Sequence, residues 1–422
     1  MKRLLWLLFP LFPIFQLFAA LTTPVVAQPL QTPSVPGLLA TEVARPLLEQ
    51  DPRVAIARAG LAVARQESNL LGKSPYEWTG KAQGQRRAVN DGARYIEWNV
   101  GIERTLRLGD KGTADRNLGL ATIDEADARY GEAMHESARE LAALWVDWLA
   151  AERGRELSTD NLSAAQESLR VVERRNRAGD ASRLDMSLAN ADLAEQRRID
   201  NDVQTAASAA WARLSTRFPG LSRQTVLVPR AGLITESDSA WRERILGASD
   251  TLKLAQVQVQ MAQAQADRAR AERLPDPTLG VFAAVEGGGR EQIVGVTLSI
   301  PIPGGLRATR SAKALAGVDV ARNALELRQR ELEADIATAL ATARGSYTSL
   351  QMADESALTT QQNARLVQRA YTLGEGDLQT LLLARRQATA AANSALQASV
   401  TALKAYLALL IDAHLIWGLE HS

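Results

Sequence analysis

Two long segments without proline limit what this 422-residue chain can fold into. Residues 115–175 and 308–370 are rich in Ala, Leu, Glu, Arg and Gln, which favour helix. A helix of about 60 residues is roughly 90 Å long, far beyond the usual three or four turns. Such a helix needs packing partners along its whole length, so the sequence predicts a mainly α-helical protein with coiled-coil-like packing.

The chain is a duplicated unit, with about 195 residues between equivalent positions. Val100-Gly101-Ile102 recurs as Val294-Gly295-Val296, and the turn at 177–180 corresponds to the turn at 372–375. Pro219, Gly220, Pro229 and Gly232 interrupt the helical pattern between the units. We therefore predict a signal peptide at 1–27, a first repeat unit at 28–217, an equatorial linker at 218–250, and a second repeat unit with a C-terminal equatorial segment at 251–422.

Each unit has the predicted order helix, strand pair, very long helix, turn and long helix. The first unit should contain a helix at 42–71, strands at 76–85 and 94–106, and helices at 115–175 and 183–216. The second should contain a helix at 239–272, strands at 278–286 and 292–300, and helices at 308–370 and 378–411.

The N-terminus has the pattern of a secretory signal. Lys2 and Arg3 precede an apolar run from Leu4 to Leu21, and Val25-Val26-Ala27 forms a small-residue cleavage site. The alternative is a retained membrane anchor, against which two prolines in the apolar run argue. The chain has no cysteine, so we expect neither disulfides nor an acylated lipoprotein anchor.

Past this segment we find no apolar run of about 18 residues, so a membrane-embedded form would have to use strands. The four predicted strands are about 10 residues long, which suffices for a tilted strand to cross a bilayer. In the second, Ile96, Trp98 and Val100 alternate with polar residues, which indicates one lipid face and one wet face. Tyr76, Trp78 and Trp98 suit an interfacial aromatic girdle.

The alternative for these strands is a pair of amphipathic hairpins that cover a soluble core. Glutamate, lysine and asparagine on the inner faces argue against it, because no helix is placed to shield them. Four strands cannot close a barrel, and open edges are not tolerated in hydrocarbon. Two copies would give eight strands and a filled lumen, whereas three give twelve and an open pore. The polar inner faces favour a wet lumen and therefore a homotrimer.

From Leu39 to Ile411 the sequence resembles the TolC family of outer-membrane efflux ducts, through the duplicated order and the pattern Tyr371-Thr372-Leu373-Gly374 with Leu381-Leu382-Leu383-Ala384. Three segments resemble the outer-membrane subunit of cobalt-zinc-cadmium type efflux systems. They are Trp98–Glu103 with Leu108–Lys111, Arg273–Val281, and Ile293–Val296 leading to Pro301-Ile302-Pro303.

The resemblance implies a trimeric β-barrel continued by a periplasmic α-helical barrel, with a mixed equatorial belt. It implies a location in the outer membrane, with outer-membrane lipid around the barrel. The implied partners are a periplasmic adaptor and an inner-membrane resistance-nodulation-division pump. The implied function is a passive exit duct for heavy-metal cations or other small toxic solutes. If metal ions pass, their selection falls to the pump.

Nothing in the sequence predicts catalysis, a cofactor or a resident metal. His135, His414 and His421 without any cysteine do not make a usual transition-metal site, and we interpret His135 as a solvated helix residue. Gly287-Gly288-Gly289 lacks the Lys-Ser/Thr ending of a phosphate loop and is predicted as an outer hairpin turn. The net charge of +1 gives no reason to expect nucleic acid.

The two turns that join the long helices should lie at the periplasmic tip, farthest from the strands. We predict a tip gate there, closed by inter-helix salt bridges and by contacts of Tyr371, with Gly179 and Gly374 ending their helices. The alternative is that the charged helix ends are merely solvated. The residues of the tip gate are Arg174, Arg175, Arg177, Gly179, Asp180, Asp185, Tyr371, Gly374, Glu375 and Asp377.

Asp185 enters the tip gate only through the resemblance, because family ducts often carry acidic rings just after these turns. The equivalent positions in the second unit, Thr380 and Leu383, are not acidic, which argues against a strong cation-selective ring. The alternative function is an exported coiled-coil structural or adaptor protein without a membrane barrel. An adaptor would need a strand-rich lipoyl-like module between its helices, and the sequence predicts none.

Overall fold

The computed structural model describes residues 35–88, 90, 92–223 and 228–419, so the predicted signal peptide lies outside the described residues. The described elements follow the predicted order in both units. In chain order they are α1 (Thr41–Glu49), α2 (Pro52–Gly72), β1 (Trp78–Ala88), β2 (Arg94–Thr105), α3 (Lys111–Arg177), α4 (Arg183–Arg217), α5 (Asp238–Ala248), α6 (Asp250–Ala271), β3 (Thr278–Glu286), β4 (Glu291–Ser299), α7 (Gly305–Leu373) and α8 (Leu378–Asp412).

The long helices α3 and α7 have 67 and 69 residues and contain no break. At 1.5 Å per residue each is about 100 Å long. Both begin a few residues after a strand, so their far ends lie about that distance from the sheet. The hairpin turns α3–α4 and α7–α8 are therefore at the end of the chain's fold that is remote from the strands.

Two predictions of single helices are wrong, because each of those segments is two helices. The Asp51 side chain accepts a hydrogen bond from the Arg53 backbone N–H and Pro52 takes the first helical position, which starts α2 anew. Ser249 caps α6 in the same way, accepting from the Leu252 N–H. Capping chemistry thus divides segments whose apolar pattern is continuous.

The four strands form one antiparallel sheet in the order β1-β2-β3-β4. The middle pairing, β2 with β3, joins the two repeat units, for example through Val100 opposite Ala283. The predicted turn Gly287-Gly288-Gly289 lies between β3 and β4, and all three glycines have positive φ. In one chain β1 and β4 are the edges of the sheet.

One face of the sheet is apolar and uncovered. The register aligns Ala82, Val100, Ala283 and Val294 in one row across it. Val294 and Val296 are 86% and 78% exposed, values unusual for valine in a folded chain. The opposite face carries the polar side chains of β1 and β2. This two-sided character is what the alternating pattern predicts.

The position predicted for Tyr76 needs correction. Tyr76 precedes β1 rather than lying within it, and its hydroxyl donates to Asp276 Oδ2 at 2.8 Å. It therefore belongs to the junction between strands and helices, not to a lipid-facing girdle. Trp78 and Trp98 are 62% and 46% exposed and remain available for that role.

The main core lies midway along α3, where α1, α5, α8 and the C-terminal segment meet it. The Trp148 ring packs at a tilt against the rings of Trp145 and Trp211, with centroids 4.9 and 5.0 Å apart. The indole N–H groups of Trp145 and Trp417 donate to the carbonyls of Gly37 and Leu39. Both termini of the described chain are thereby fastened to the middle of α3.

Helix α8 is apolar and long enough to cross a membrane by length and composition, contrary to the prediction that no such stretch follows the signal. Its most apolar window is 44% buried. Leu403, Leu407 and Leu410 point into the main core, which accounts for this composition. The helix packs against α7 and α3 rather than standing apart.

The helices form a wall one layer thick. Helix α3 contacts α2, α4, α6 and α8, and α7 contacts α5, α6 and α8. Among the described elements α2 packs mainly on α3, with a smaller contact to α1, so α2 and α7 lie at opposite edges of the wall. These are the helices that adjoin the edge strands β1 and β4.

Candidate functional site

The first hairpin tip is built by a glycine turn and a capping box. Gly179 adopts φ +84°, a conformation that costs glycine little. The Asn176 side chain donates to the Ala181 carbonyl at 2.8 Å and closes the turn. Ser182 and Asp185 then form the reciprocal capping box that starts α4. In a single chain Asp185 is thus a capping residue.

The second tip repeats this plan with other residues. Gly374 ends α7 with φ +82°. The Asp377 carboxylate accepts from the Thr380 backbone N–H at 2.7 Å and from its hydroxyl at 2.9 Å. These hydrogen bonds hold the pKa of Asp377 below its ordinary value. Asp377 therefore starts α8 as a charged N-cap.

The two tips pack on each other through a small apolar cluster, separate from the main core. Tyr371 is its aromatic member and is 7% exposed. The side chains come from all four long helices, so the cluster ties one hairpin to the other. Its buried members are Val172, Ala189, Tyr371, Leu378, Leu381 and Leu382.

The structure brings two predicted gate residues together across the hairpins. The Arg175 guanidinium carbon lies 5.2 Å from the centroid of the Tyr371 ring. This is the geometry of a cation–π contact, worth about 0.5–1 kcal/mol at an exposed site. The contact joins the end of α3 to the end of α7, hence repeat one to repeat two.

The remaining gate charges do not pair between helices of one chain. Arg174 lies 3.4 Å from Glu167, one of its own neighbours on α3. Arg177, Asp180 and Glu375 form no ion pair with any described residue of the same chain. Whether they pair between copies of the chain stays a prediction.

A half-buried arginine just above the tip was missed by sequence reasoning. One Arg385 nitrogen donates to Gln368, while Nη1 is buried and has no hydrogen-bond partner among the described residues. Burial lowers the pKa of Arg385, and the charge of Asp192 opposes that effect. The sequence signal was available, since Arg385-Arg386 directly follows the apolar run at 381–384.

Arg385 lies at one end of a long open cleft between the hairpins. Helices α3 and α4 form one wall and α7 and α8 the other, with Ala165, Ala388 and Ala392 among the small residues along it. Asp192, which is 6% exposed, lies 3.6 Å from Arg386 across this cleft. The two hairpins thus touch at the tip and at the main core, with the cleft between.

A second polar centre fixes the sheet to the helices. Asp276, 8% exposed, accepts from the Leu108 backbone N–H at 2.9 Å and from Lys111 Nζ at 2.6 Å, in addition to Tyr76. Burial acts to raise the pKa of Asp276, but these three hydrogen bonds outweigh it and hold the pKa below its ordinary value. The two motif segments 108–111 and 273–281 meet at this carboxylate.

The interpretation of His135 as a solvated residue is wrong. Its side chain is 14% exposed, and Nε2 lies 3.3 Å from Asp412 Oδ1. Burial acts to raise the pKa of Asp412, but the hydrogen bond from His135 and the charge of Arg139 hold it below its ordinary value. Asp412 ends α8, 277 positions further along the chain, so the pattern of α3 alone could not indicate it.

The described residues contain no group of three or more His, Cys, Asp or Glu side chains arranged to hold a metal ion. A sheet with one apolar and one polar face continues into helices about 100 Å long, which end at two hairpin tips packed on each other. These features are typical of one subunit of a membrane channel with a long extramembrane extension.

The family model for outer membrane efflux proteins matches residues 43–217 and 241–410. These stretches cover most of the chain, so the chain belongs to the outer membrane efflux protein family, in the outer membrane and extending into the periplasm. Channels of this family are trimers that work with periplasmic adaptors and resistance-nodulation-division pumps. A comparison with curated protein sequences finds no match.

Solved structures of membrane proteins share the fold. A membrane protein from Pseudomonas aeruginosa matches with TM-score 0.71 and 17% identity over 88% of this chain and 89% of that one. The outer membrane protein VceC of Vibrio cholerae matches with 0.70 and 15% identity over 88% and 95%. The CmeC outer membrane channel of Campylobacter jejuni matches with 0.67 and 14% identity over 90% and 85%.

These findings confirm the predicted family and fold class, a mainly helical chain that adds four strands to a membrane barrel. The family is one of channels rather than enzymes. The alternative of a coiled-coil protein without a membrane barrel does not agree with this membership.

Proposed function

We propose that three copies of this chain form the exit duct of a tripartite efflux system. The observation that carries the proposal is the four-stranded sheet, apolar on one face and open at both edges in one chain. Unpaired backbone groups cost several kcal/mol each in hydrocarbon, so β1 and β4 need partner strands from other copies. Three copies give twelve strands and a lumen wide enough for water.

The helices next to the edge strands support the same assembly. On α2, Ile56, Val63 and Leu70 recur every seven residues and are 66–73% exposed. On α7, Val320 and Leu327 have the same spacing and are 69% and 58% exposed. Apolar residues at this spacing suit a coiled-coil seam. When β1 of one copy pairs with β4 of the next, these two helices are brought side by side.

We assign heavy-metal cations as the cargo, with other small toxic solutes as the second candidate. The support is the likeness of segments 98–103, 108–111, 273–281 and 293–303 to the cobalt-zinc-cadmium type subunits. An inner-membrane pump and a periplasmic adaptor would deliver the ions to the tip. The regions at 1–27, 28–217, 218–250 and 251–422 are the proposed signal, first unit, equatorial linker and second unit.

The test of the duct combines location, assembly and resistance. We expect heat-modifiable trimers in detergent-extracted outer membranes, and free periplasmic monomers would contradict the proposal. We expect a deletion strain to become sensitive to cobalt, zinc or cadmium. Unchanged metal tolerance with new sensitivity to organic toxicants would instead assign the second class of cargo.

We further propose that the tip gate closes the duct until an adaptor displaces its contacts. The Arg175–Tyr371 contact supports this, because it fastens the two hairpins at the tip. Unpaired Arg177, Asp180 and Glu375 are then available to neighbouring copies. Exposed pairs are worth only about 0–1 kcal/mol each, so a gate of several pairs would hold yet open easily.

Planar bilayers test the gate. We expect the triple variant R174A/R175A/D180A to raise single-channel conductance or the open fraction. The control is R129A, which removes an exposed arginine paired with Glu125 on the same helix, far from the tip. Unchanged conductance in the triple variant would exclude the gate while leaving the duct intact.

A further inference from the structure

The polar face of the sheet carries one aromatic ring at mid-height. Phe282 is the fifth of the nine residues of β3 and lies directly opposite Gly101 on β2 and Gly295 on β4. Alternation places it on the same face as Asn99, Glu103 and Thr297. In a closed barrel whose apolar face meets lipid, this face is the lumen, so the inference rests on the proposed trimer.

The ring lies flat because both flanking residues lack side chains. A Cβ on Gly295 would lie 2.5 Å from Cε1 and 2.6 Å from Cζ of Phe282. A Cβ on Gly101 would lie 3.1 Å from Cβ of Phe282 and 2.9 Å from the Val281 carbonyl oxygen. Real Cβ atoms essentially never approach another atom closer than 3.0 Å, and 3.1 Å is tighter than most of their contacts. Gly295 therefore lies under the ring of Phe282. Gly101 lies on the other side of Phe282, next to its Cβ, and leaves that space empty.

The duplication shows that this is a specific arrangement. Gly101 and Gly295 occupy equivalent positions of the two repeats. The residue paired with Gly101 within the first repeat is Lys81, whose Nζ lies 2.5 Å from Glu103. The first repeat thus places a paired charge at the position where the second places a ring. A trimer would carry three lysines and three phenylalanines around the lumen at one level.

We propose that Phe282 and its two glycine neighbours set the clearance of the barrel lumen at mid-height. With glycine on both sides the ring packs along the wall and leaves the passage open. A methyl group at 295 forces the ring to another rotamer, toward Gly101 or into the lumen. With methyl groups at both 101 and 295, the ring of Phe282 can move only into the lumen.

Size-graded maleimides report this clearance, because the chain has no cysteine of its own. Ser299 and Ile293 share the lumen face of β4, on the helix side and the outer side of Gly295 respectively. Whole cells bearing S299C or I293C are treated from outside with polyethylene glycol maleimides of increasing size. The largest reagent that labels S299C measures the width of the lumen at Phe282, because the reagent must pass that level. I293C is the control, because it is reached from outside before the level of Phe282.

We expect G295A to lower the size cut-off at S299C, and G101A/G295A to lower it further, without change at I293C. Removing the ring in G101A/G295A/F282A should restore the parent cut-off. The matched control is G84A, a strand glycine on the lipid face with nothing within 4 Å of its added Cβ, which should label as the parent does.

The outcomes separate this inference from the duct itself. Equal cut-offs in G101A/G295A and the parent would overturn the role of Phe282. If the double variant fails to assemble but the triple variant forms trimers, the clash is demonstrated at the level of folding. If both fail to assemble, the clash of a Cβ at position 101 with the Val281 carbonyl is the cause. The comparison then rests on G295A alone, and an unchanged cut-off at S299C in G295A would overturn the inference. Parent S299C that stays unlabelled by the smallest reagent would contradict the open lumen of the proposed duct.

Discussion

Among single residues, Asp276 ties the base of the sheet to the helices of both repeats. Its carboxylate faces Lys111, whose side chain is 6% exposed, so the pair is buried with few other partners for either charge. Replacing Asp276 with Asn keeps an acceptor oxygen but leaves the Lys111 ammonium uncompensated. We expect D276N to lower the free energy of unfolding by about 3 kcal/mol, measured by thermal denaturation of detergent-solubilised trimers.

The control for this change is D110N, at the N-cap of α3. Asp110 is exposed and its side chain makes no cap hydrogen bond. Substitutions at such surface positions change stability by about 0.5 kcal/mol or less. A D276N loss no larger than that of D110N would show that the junction does not depend on the buried charge pair.

The lowered pKa of Asp276 also predicts that the protein loses stability in acid. The pKa of Asp276 is held below its model-compound value of 3.8 in the folded chain. A depressed pKa contributes stability above the unfolded value and loses it as pH falls through the folded value. Between about pH 6 and pH 3 the parent should therefore lose more stability than D276N. The measurement is the melting temperature of the parent and of D276N at each pH. An equal fall of the two melting temperatures over that range would contradict this assignment.

At the scale of elements, the same Gly-to-Ala substitution should have opposite effects at the end of a helix and inside one. Gly374 has φ +82°, so G374A should destabilise by about 1 kcal/mol, because alanine is strained in that conformation. Gly154 lies inside α3, and a Cβ there would meet Val203 Cγ1 at an ordinary 3.8 Å. G154A should stabilise by about 0.5–1 kcal/mol. Melting temperatures of the two variants should move in opposite directions.

The elements also show what the sequence could and could not reveal. Period-two alternation and proline-free runs predicted four strands and four long helices, since each pattern is local. Asp51 and Ser249 are typical N-cap residues and could have indicated the helix breaks. The apolar pattern runs through both positions without interruption, and it therefore favoured a single helix in each segment. Lys111 and Asp276 are 165 positions apart, and their pairing depends on a register that no local pattern contains.

The tip shows the same limit. Gly179 and Gly374 were predictable as helix ends, because a turn between long helices needs positive φ. The sequence analysis predicted that Tyr371 makes a contact at the tip, but it did not identify Arg175 as the residue that Tyr371 contacts. The capping box of Ser182 and Asp185 is local and could be predicted from the sequence, whereas the partial burial of Arg385 depends on how the two hairpins pack.

For the whole molecule, the edge pairing of β1 with β4 fixes which helices of neighbouring copies meet. Ile56 lies 16 residues from the end of α2, and Val320 lies 15 residues into α7. At 1.5 Å per residue both lie about 22–24 Å from the strand-proximal ends of their helices. Cysteines at these two positions of adjacent copies are therefore expected at one level.

The absence of native cysteine makes this a clean cross-linking test. We expect I56C/V320C to give covalent dimers and trimers with a short bismaleimide, because each copy offers one partner to each neighbour. Neither single variant should cross-link. The pair I56C/L366C is the geometric control, since Leu366 is exposed on α7 but about 70 Å further along it. Trimers in which the control pair cross-links and I56C/V320C does not would require another pairing of the edge strands, and with it another arrangement of the helical wall.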